Sequence, residues 1–391
     1  MFVLSSRIWL TNYKQIIASR LNWGLGILTI LLIVSCAFAE YPQEAWLGLA
    51  NFVPFFWLFI ALQKLIKPHR LKQLSWVLIV PSLPAVALGF AQMYLLWDTP
   101  TWLESILGWE LIPQGVPPGR MSSIFIYTNF LAVYLAIAFI LTLGLWLDTW
   151  YFCQSKAKRQ TLLFLTVILL ANISGLVLTS SRNAWGLAVI SFMAYALFMG
   201  WRWLIWAVTG AATAVLWASF APHLGGTQLR KIVPAFFWAR LSDQSYERPV
   251  ETLRITQWEF CWNLIKERPL FGWGLRNFSP LYEAKMNYWF GHPHSLYLML
   301  GAETGIISTS LLIGIMGFMM YKAFIVLNNW KFSSSKLIYF SYVTVFVCCV
   351  LFNLADVTIF ELRVNTIIWI VLAAISGTAL SSTSDRSFGI L

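Results

Sequence analysis

Residues 123–147 have the sequence SIFIYTNFLAVYLAIAFILTLGLWL, which contains no charged side chain. A helix that crosses the hydrocarbon core of a bilayer needs ~20 mostly apolar residues. Strands and core helices of water-soluble proteins are usually shorter than this stretch. The stretch therefore predicts a membrane-spanning helix, and it decides the fold class of the chain.

Nine further stretches have the same character, and each of them predicts a span. They cover residues 22–39, 46–63, 74–96, 161–180, 184–200, 203–219, 296–321, 337–355 and 365–381. The composition agrees, because 59% of the 391 residues are hydrophobic and only 11% are charged, whereas soluble domains carry about 25% charged residues. We predict an all-α fold, a polytopic transmembrane helical bundle of about ten spans.

One long segment, residues 220–295, interrupts the apolar pattern and is called the large loop below. It divides the chain into an N-terminal transmembrane bundle of about seven spans (residues 1–219), the loop itself, and a C-terminal transmembrane segment of about three spans (residues 296–391). Within the third span, Pro81 and Pro84 predict a kink or a break, since proline cannot continue a helix without losing a hydrogen bond.

The large loop is predicted to contain short amphipathic helices. Arg254, Trp258 and Trp262 recur at helical spacing, which predicts a helix over residues 254–266. Its tryptophans favour a position on the membrane surface. Pro269 is expected to end it.

The distribution of basic residues predicts the orientation in the membrane. With the N-terminus inside, the cytoplasmic segments hold fifteen Lys and Arg residues, and the short external loops hold three, Arg120, Arg182 and Arg363. Basic residues accumulate in short cytoplasmic loops, so both termini are predicted to be cytoplasmic and the large loop extracytoplasmic. The apolar run that ends near Ala39 is interpreted as an uncleaved first span rather than a signal peptide.

Net charge and cysteine content narrow the function classes. The net charge of +11 is explained by basic residues in short loops between apolar runs, so no nucleic-acid partner is predicted. Only Cys261 of the five cysteines falls in the large loop, which excludes a disulfide within it. The spacing of Cys and His is not that of zinc sites, and we predict no metal and no cofactor.

Arginines near the predicted external surface are candidates for binding phosphate. Arg182 lies between two apolar spans with almost no loop around it. Its guanidinium could extend to the lipid headgroups, or it could bind a phosphate through two N–H donors. Arg120 and Arg254 could equally be solvated loop charges, and Asn129 could cap or cross-link helices.

Two of the four histidines, His292 and His294, lie at the entry to the eighth span. Imidazole titrates near neutral pH, so His294 could be a general base, and the alternative is an interfacial histidine bound to a backbone carbonyl. Two histidines at i and i+2 do not share a helical face, which argues against a two-histidine metal site. Glu303 is a carboxylate at membrane depth, where ionisable groups are commonly functional, although it could simply pair with an arginine.

Four motifs in chain order resemble those of the O-antigen ligase and O-antigen polymerase superfamily of bacterial envelope glycosyltransferases. They are Gly119-Arg120-Met121-Ser122-Ser123 leading to Asn129, Ser181-Arg182, Arg254 with Trp258 followed by Pro269-Leu270-Phe271-Gly272-Trp273-Gly274, and His294-Ser295-Leu296-Tyr297-Leu298 leading to Glu303-Thr304-Gly305. The chain departs from the family pattern at Ser295, where asparagine is usual, and at Thr128, where proline is common.

The resemblance implies a metal-independent glycosyltransferase in the bacterial inner membrane. It would move a glycan from an undecaprenyl-diphosphate carrier to a hydroxyl of lipid A core or another glycan acceptor, at the outer face, with membrane lipids around the spans. His294 would be the general base, and Arg254 and Arg182 would be further catalytic residues that stabilise the diphosphate. The substrate-binding residues would be Arg120, Asn129, Glu303 and His292. The large loop would cover Arg182 and Arg120.

Three alternatives stay open. A polysaccharide polymerase uses the same donor chemistry with another acceptor. Some relatives in photosynthetic bacteria are described as inorganic-carbon transport proteins, so transport of bicarbonate is a second alternative. A transporter is expected to hold polar residues near the midplane of several spans, whereas the spans here hold mainly Glu303 and isolated residues such as Asn51 and Asn172. A non-catalytic scaffold of envelope assembly is the third.

Overall fold

The computed structural model describes residues 2–242 and 249–387, and every regular element among them is helical. In chain order the α-helices are α1 (Phe2–Ile17), α2 (Arg20–Ala37), α3 (Pro42–Gly48), α4 (Val53–Leu65), α5 (Leu71–Ile79), α6 (Ser82–Tyr94), α7 (Thr101–Leu107), α8 (Thr128–Phe152), α9 (Lys158–Leu178), α10 (Arg182–Phe198), α11 (Arg202–Phe220), α12 (Gly226–Leu229), α13 (Ala235–Leu241), α14 (Arg254–Glu267), α15 (Phe278–Met286), α16 (Leu296–Asn329), α17 (Ser334–Phe352) and α18 (Leu362–Ser387). Short 3-10 helices lie at Leu49–Asn51, Pro68–Arg70, Pro222–Leu224 and Val250–Thr252. The predicted all-α fold is confirmed.

Nine helical stretches in the described part of the chain are long and apolar enough to cross a membrane. They are Arg20–Ala37, Pro42–Leu65, Pro68–Tyr94, Thr128–Phe152, Lys158–Leu178, Arg202–Phe220, Leu296–Asn329, Ser334–Phe352 and Leu362–Ser381. These helices confirm the predicted polytopic bundle. The remaining predicted span, residues 184–200, forms α10, whose 17 residues stand at the lower limit of the ~17–25 that a crossing requires.

The uncharged stretch at residues 123–147 becomes helical only from Thr128, the first residue of α8. Lipid offers no water to backbone N–H and C=O groups, so an apolar segment satisfies them within a helix. The most apolar part of α8 is 89% buried, as expected for a helix that is hydrophobic on every face. The third span is broken at its prolines, as predicted, since α5 ends at Ile79 and α6 begins at Ser82.

Contacts between helices divide the chain into two compact units. Unit 1 comprises Met1–Leu78, Gly144–Lys158 and Val250–Leu391, and unit 2 comprises Ile79–Leu143 and Arg159–Pro249. The boundary falls within the large loop, so the first part of that loop belongs to unit 2 and the second part to unit 1. The division into two bundles and a loop rests on predicted membrane location, and it stays a prediction.

In unit 1, α4 packs against α18, where the rings of Phe59 and Trp369 meet edge to face at 5.9 Å. A buried polar chain supports the same region. The amide of Gln63 donates to Asn22 Oδ1 (2.8 Å), and the hydroxyl of Ser376 donates to Gln63 Oε1 (3.2 Å). These buried polar groups therefore have the partners that an apolar surrounding demands.

In unit 2, α6 holds the irregular segment that precedes α8. The backbone N–H groups of Ser122 and Ser123 both donate to Gln92 Oε1, at 3.1 and 2.8 Å. Gly89 lies so close to the Met121 side chain that a Cβ there would overlap with it. These contacts fix the backbone on the C-terminal side of Arg120.

The helix predicted at residues 254–266 is confirmed as α14. The buried residues of α14 are Gln257, Phe260, Cys261, Leu264 and Ile265. Trp262, by contrast, is 56% exposed. The buried face packs against protein, since Phe260, Cys261, Leu264 and Ile265 form one apolar cluster with Phe278, Tyr282 and Ala302.

Candidate functional site

His292 and His294 lie in the irregular segment that enters α16, in unit 1. Ser295 is the N-cap of α16, and the backbone N–H of Leu296 donates to Asn353 O (2.9 Å), which ties the segment to the end of α17. His294 has a φ of +49°, a left-handed conformation that is uncommon for a residue other than glycine. Strained backbone of this kind is concentrated at functional sites.

Asp356, in the loop between α17 and α18, faces both imidazoles. His294 Nδ1 lies 3.4 Å from Asp356 Oδ1, and His292 Nε2 lies 3.9 Å from the same oxygen. The backbone N–H of Val357 also donates to it, at 2.9 Å. The side chain of Asp356 is 3% exposed, that of His294 is 15% exposed and that of His292 is 17% exposed. The two imidazoles are therefore partly accessible, whereas the carboxylate is buried.

Burial and neighbouring charges determine the protonation of His292 and Asp356. Burial, together with positive charge at His294 and Arg254, lowers the pKa of His292 to about 4, although Asp356 acts in the opposite direction. His292 is therefore neutral at pH 7, and its Nδ1 accepts the backbone N–H of His294 (3.3 Å). Burial disfavours the ionised form of Asp356, but the hydrogen bond from His294 and the attraction to both imidazoles in their protonated forms outweigh it and lower the pKa of Asp356.

An ionised Asp356 selects one tautomer of His294. In that tautomer Nδ1–H donates to the carboxylate, and Nε2 has no proton. The hydrogen is placed on Nδ1 of His294 because this atom faces the carboxylate of Asp356. The arrangement can therefore accept a proton at Nε2 and stabilise the resulting imidazolium.

Helix α14 brings Arg254 into the neighbourhood of the histidines. The indole N–H of Trp258 donates to Pro293 O (3.0 Å), which fixes α14 against the histidine segment. Arg254 lies four residues earlier and hence on the same helix face, and its positive charge acts on His292. An exposed guanidinium thus accompanies the two imidazoles and the carboxylate.

The Pro-Leu-Phe-Gly-Trp-Gly turn of the large loop packs directly on α16. The backbone N–H of Gly274 donates to Glu303 O (2.8 Å), and that of Ile306 donates to Pro269 O (2.8 Å). The helix is interrupted at Gly305, where φ is +75° and ψ is 169°. The turn occupies the space that this interruption creates.

Glu303 is 2% exposed and lies beneath the same turn. Its Oε1 accepts the backbone N–H of Phe278 (3.2 Å) at the start of α15, and its carbonyl accepts the hydroxyl of Ser35 (2.9 Å). These contacts favour a role in positioning the turn. Contact of Glu303 with substrate stays a prediction.

The break in α16 leads to a prediction about stability. A Cβ at Gly305 would overlap with the carbonyl of Leu270, and a left-handed φ costs other residues ~1–3 kcal/mol. Gly305→Ala should therefore lower the Tm of the purified protein by several degrees. The matched control is Gly314→Ala in the same helix, where a Cβ meets no atom within 4 Å and the Tm should be unchanged or slightly higher. Equal Tm values for both variants would contradict this account.

In unit 2, Arg120 and Asn129 are neighbours. The guanidinium of Arg120 donates to Asn129 Oδ1 (3.1 Å) and to Thr179 O (2.9 Å). The hydroxyl of Thr128 donates to the same carbonyl (3.1 Å), and Asn129 is 7% exposed. Arg120 therefore joins the start of α8 to the end of α9.

Arg182, also in unit 2, is the first residue of α10 and contacts the large loop, as expected. Its Nη1 donates to Leu241 O (3.2 Å), and Arg240 Nε donates to Ser180 O (3.3 Å). The rings of Trp185 and Phe237 pack at a centroid distance of 5.2 Å. Helix α13 of the large loop thus covers the start of α10.

Residues 164–313 match a family model, Wzy_C, described as O-antigen ligase. This segment belongs to the O-antigen ligase family. It runs from α9 into α16. Within this family segment lie the predicted site residues Arg182, Arg254, His292, His294 and Glu303. No curated protein matches the chain.

The family match confirms the resemblance found in the sequence. The match over residues 164–313 supports a glycosyltransferase-like activity of the ligase or polymerase type, with polyprenyl-linked glycan and acceptor substrates in general. The apolar helices place the O-antigen ligase segment in a multi-pass membrane protein.

Asp356 is not among the site residues predicted from the sequence, and it lies outside the family segment, 62 residues from His294. In the sequence it is one of several acids on the predicted external side. The signal that points to it is an acid in a short loop, on the same predicted side of the membrane as the histidines. Within unit 1, the structure brings Arg254, His292 and His294 together and adds Asp356 to them.

His292, His294 and Asp356 also form a group whose candidate ligand atoms all lie within 4.8 Å of one another. Helical faces, on which the sequence-based prediction against a two-histidine metal site relies, do not apply here, because both histidines lie in irregular backbone. Ligand atoms around a tetrahedral Zn²⁺ at ~2.0–2.1 Å are only about 3.4 Å apart. The group would have to contract to hold an ion, so a metal fits this arrangement poorly.

Proposed function

We propose that this protein is an O-antigen-ligase-type glycosyltransferase of the bacterial inner membrane. It would transfer a glycan from an undecaprenyl-diphosphate carrier to an acceptor hydroxyl at the outer face. The observation that carries the proposal is the contact between His294 and Asp356 beside Arg254. The large loop would be periplasmic and both termini cytoplasmic, as the distribution of basic residues predicts.

His294 is the proposed general base. Its Nε2 takes the proton of the acceptor hydroxyl while that oxygen attacks C1 of the donor sugar, and Asp356 stabilises the imidazolium that forms. His292 is a poor candidate for this role, because its pKa is lowered to about 4 and a general base works best with a pKa near the operating pH. His292 is therefore assigned to substrate binding.

Arg254 is proposed to act on the leaving group. As the bond from the acceptor oxygen to C1 forms, the bond from C1 to the diphosphate oxygen breaks, and its electron pair leaves with undecaprenyl diphosphate. Displacement from the opposite face inverts the anomeric centre. A preorganised guanidinium stabilises the charge that develops on the phosphate, so the proposed step needs no metal ion.

The donor is proposed to bind at Arg182, Arg120 and Asn129. All three residues lie in unit 2. Arg182 lies at the start of α10, where the helix dipole favours an anion. Arg120 and Asn129 hold the irregular backbone before α8, and the Arg120 guanidinium is a secondary phosphate contact in this proposal.

A glycolipid profile of a deletion strain tests the reaction class. Short lipopolysaccharide without polymer, together with accumulated carrier-linked polymer, is expected for a ligase. Accumulated single repeats on the carrier indicate a polymerase, whose donor chemistry is the same. A normal profile would contradict both.

Asp356→Asn should lower kcat about 10–100-fold. A hydrogen bond to a charged partner is worth ~1.5–3 kcal/mol, and each ~1.4 kcal/mol is tenfold in rate. The measurement is transfer of labelled glycan by purified protein, at saturating donor and acceptor. Because the asparagine keeps the shape of the side chain, Tm should change little. An unchanged kcat would mean that Asp356 does not support His294.

A further inference from the structure

A polar cavity lies beside His292 in unit 1. Its volume is about 540 Å³, and its walls include Trp289, His292, Glu283, Glu44 and Arg276. Small-molecule sites typically occupy ~300–1,000 Å³ and combine an apolar surface with a few polar groups. The cavity is therefore large enough for a short oligosaccharide.

The cavity presents one flat aromatic surface. Trp289 is 65% exposed, and its ring is close to Gly291, whose added Cβ would lie 3.4 Å from the indole. The Gly291 carbonyl in turn accepts the hydroxyl of Ser279 (3.0 Å). An exposed indole of this kind offers a large apolar face at low cost in conformational entropy, which suits the C–H face of a sugar ring.

The polar wall matches hydroxyl groups better than phosphates. Glu44 and Arg276 form an ion pair at 3.3 Å, with side chains 46% and 37% exposed, and Glu283 adds a second carboxylate. With His292 neutral, the charged wall residues sum to one negative charge. That charge disfavours a diphosphate, whereas carboxylates accept strong hydrogen bonds from hydroxyl groups.

The cavity adjoins the proposed base through His292. The ring of His292, which lines the cavity, packs on that of Phe360 at 6.2 Å and on the His294 ring at 4.7 Å. A sugar in contact with His292 is therefore one side chain away from His294. We infer that this cavity binds the uncharged sugar units of the acceptor, an inference that rests on the proposed transfer reaction.

The test measures binding and kinetics separately. The probes are two lipid-free saccharides, deacylated lipopolysaccharide core oligosaccharide and the repeat-unit oligosaccharide of the host polysaccharide. Saturation-transfer NMR on the full-length protein should detect one of them, which also identifies the source of the acceptor. Trp289→Ala should abolish that signal and raise the KM for acceptor about tenfold or more, with the KM for donor and kcat nearly unchanged.

Trp262→Ala is the matched control, since Trp262 is similarly exposed but does not line the cavity; binding and KM should stay at the values of the unsubstituted protein. Glu283→Gln should weaken binding without loss of Tm.

An unchanged acceptor KM in Trp289→Ala, or absence of binding of both probes, would overturn the inference. His294→Ala separates the two proposals: it should keep the NMR signal while losing transfer. Loss of the signal only in Trp289→Ala, with transfer intact in His294→Ala, would refute the base and leave the cavity assignment standing.

Discussion

His294→Ala should lower the rate of glycan transfer roughly 10²–10⁴-fold, the range that general acid–base catalysis contributes. Alanine removes the only atom, Nε2, that is proposed to take the acceptor proton, and it leaves Asp356 without its imidazole partner. The measurement is single-turnover transfer of labelled glycan from the carrier by purified protein. Membrane content should be close to that of the unsubstituted protein, and Tm should fall modestly, because the buried carboxylate of Asp356 loses its imidazole partner.

His292→Ala provides the comparison for this result. His292 faces the same carboxylate, at 3.9 Å rather than 3.4 Å, and its lowered pKa makes it a poor base. Its removal should therefore weaken substrate binding more than it lowers kcat. If His292→Ala abolished transfer and His294→Ala did not, the two roles would have to be exchanged. Full transfer by both variants would mean that neither histidine is the general base.

The sequence predicts the fold well, because the membrane limits the possible structures. An uncharged run such as residues 123–147 has to close its own backbone hydrogen bonds in lipid, so helices follow almost directly from composition. The partners of the buried face of α14 could not be predicted, because they come from other helices. This face packs against Phe278 and Tyr282 of α15 and Ala302 of α16, which local spacing cannot show.

The candidate site is predictable only where its residues are close in the chain or belong to a motif. His292 and His294 are conspicuous because they are two rare residues at a membrane entry. Asp356 reaches them through a tertiary contact across 62 residues, and no local pattern marks it. Glu303 can be found from its motif in the sequence. Its burial under the Pro-Leu-Phe-Gly-Trp-Gly turn, however, is visible only in the folded chain.

Arg254→Ala should lower kcat about 10²–10³-fold, the loss typical of removing one preorganised donor to a developing negative charge. Arg254 is exposed on α14, and the contacts that anchor this helix include the indole of Trp258 and the buried Leu264, both of which the substitution leaves in place. The Tm should therefore change little. The measurement is single-turnover transfer, compared with Lys266→Ala, which removes a cation from an exposed position of the same helix and should leave the rate unchanged.

The substitution Arg254→Lys distinguishes positive charge from geometry. Lysine retains the charge but not the planar pair of N–H donors that matches a phosphate, so an intermediate rate is expected if Arg254 contacts the leaving diphosphate directly. A rate as low as that of Arg254→Ala would show that bidentate geometry dominates. If Arg254→Ala kept the full rate, as Lys266→Ala should, the charge of Arg254 would not stabilise the leaving group. Other residues would then have to stabilise it.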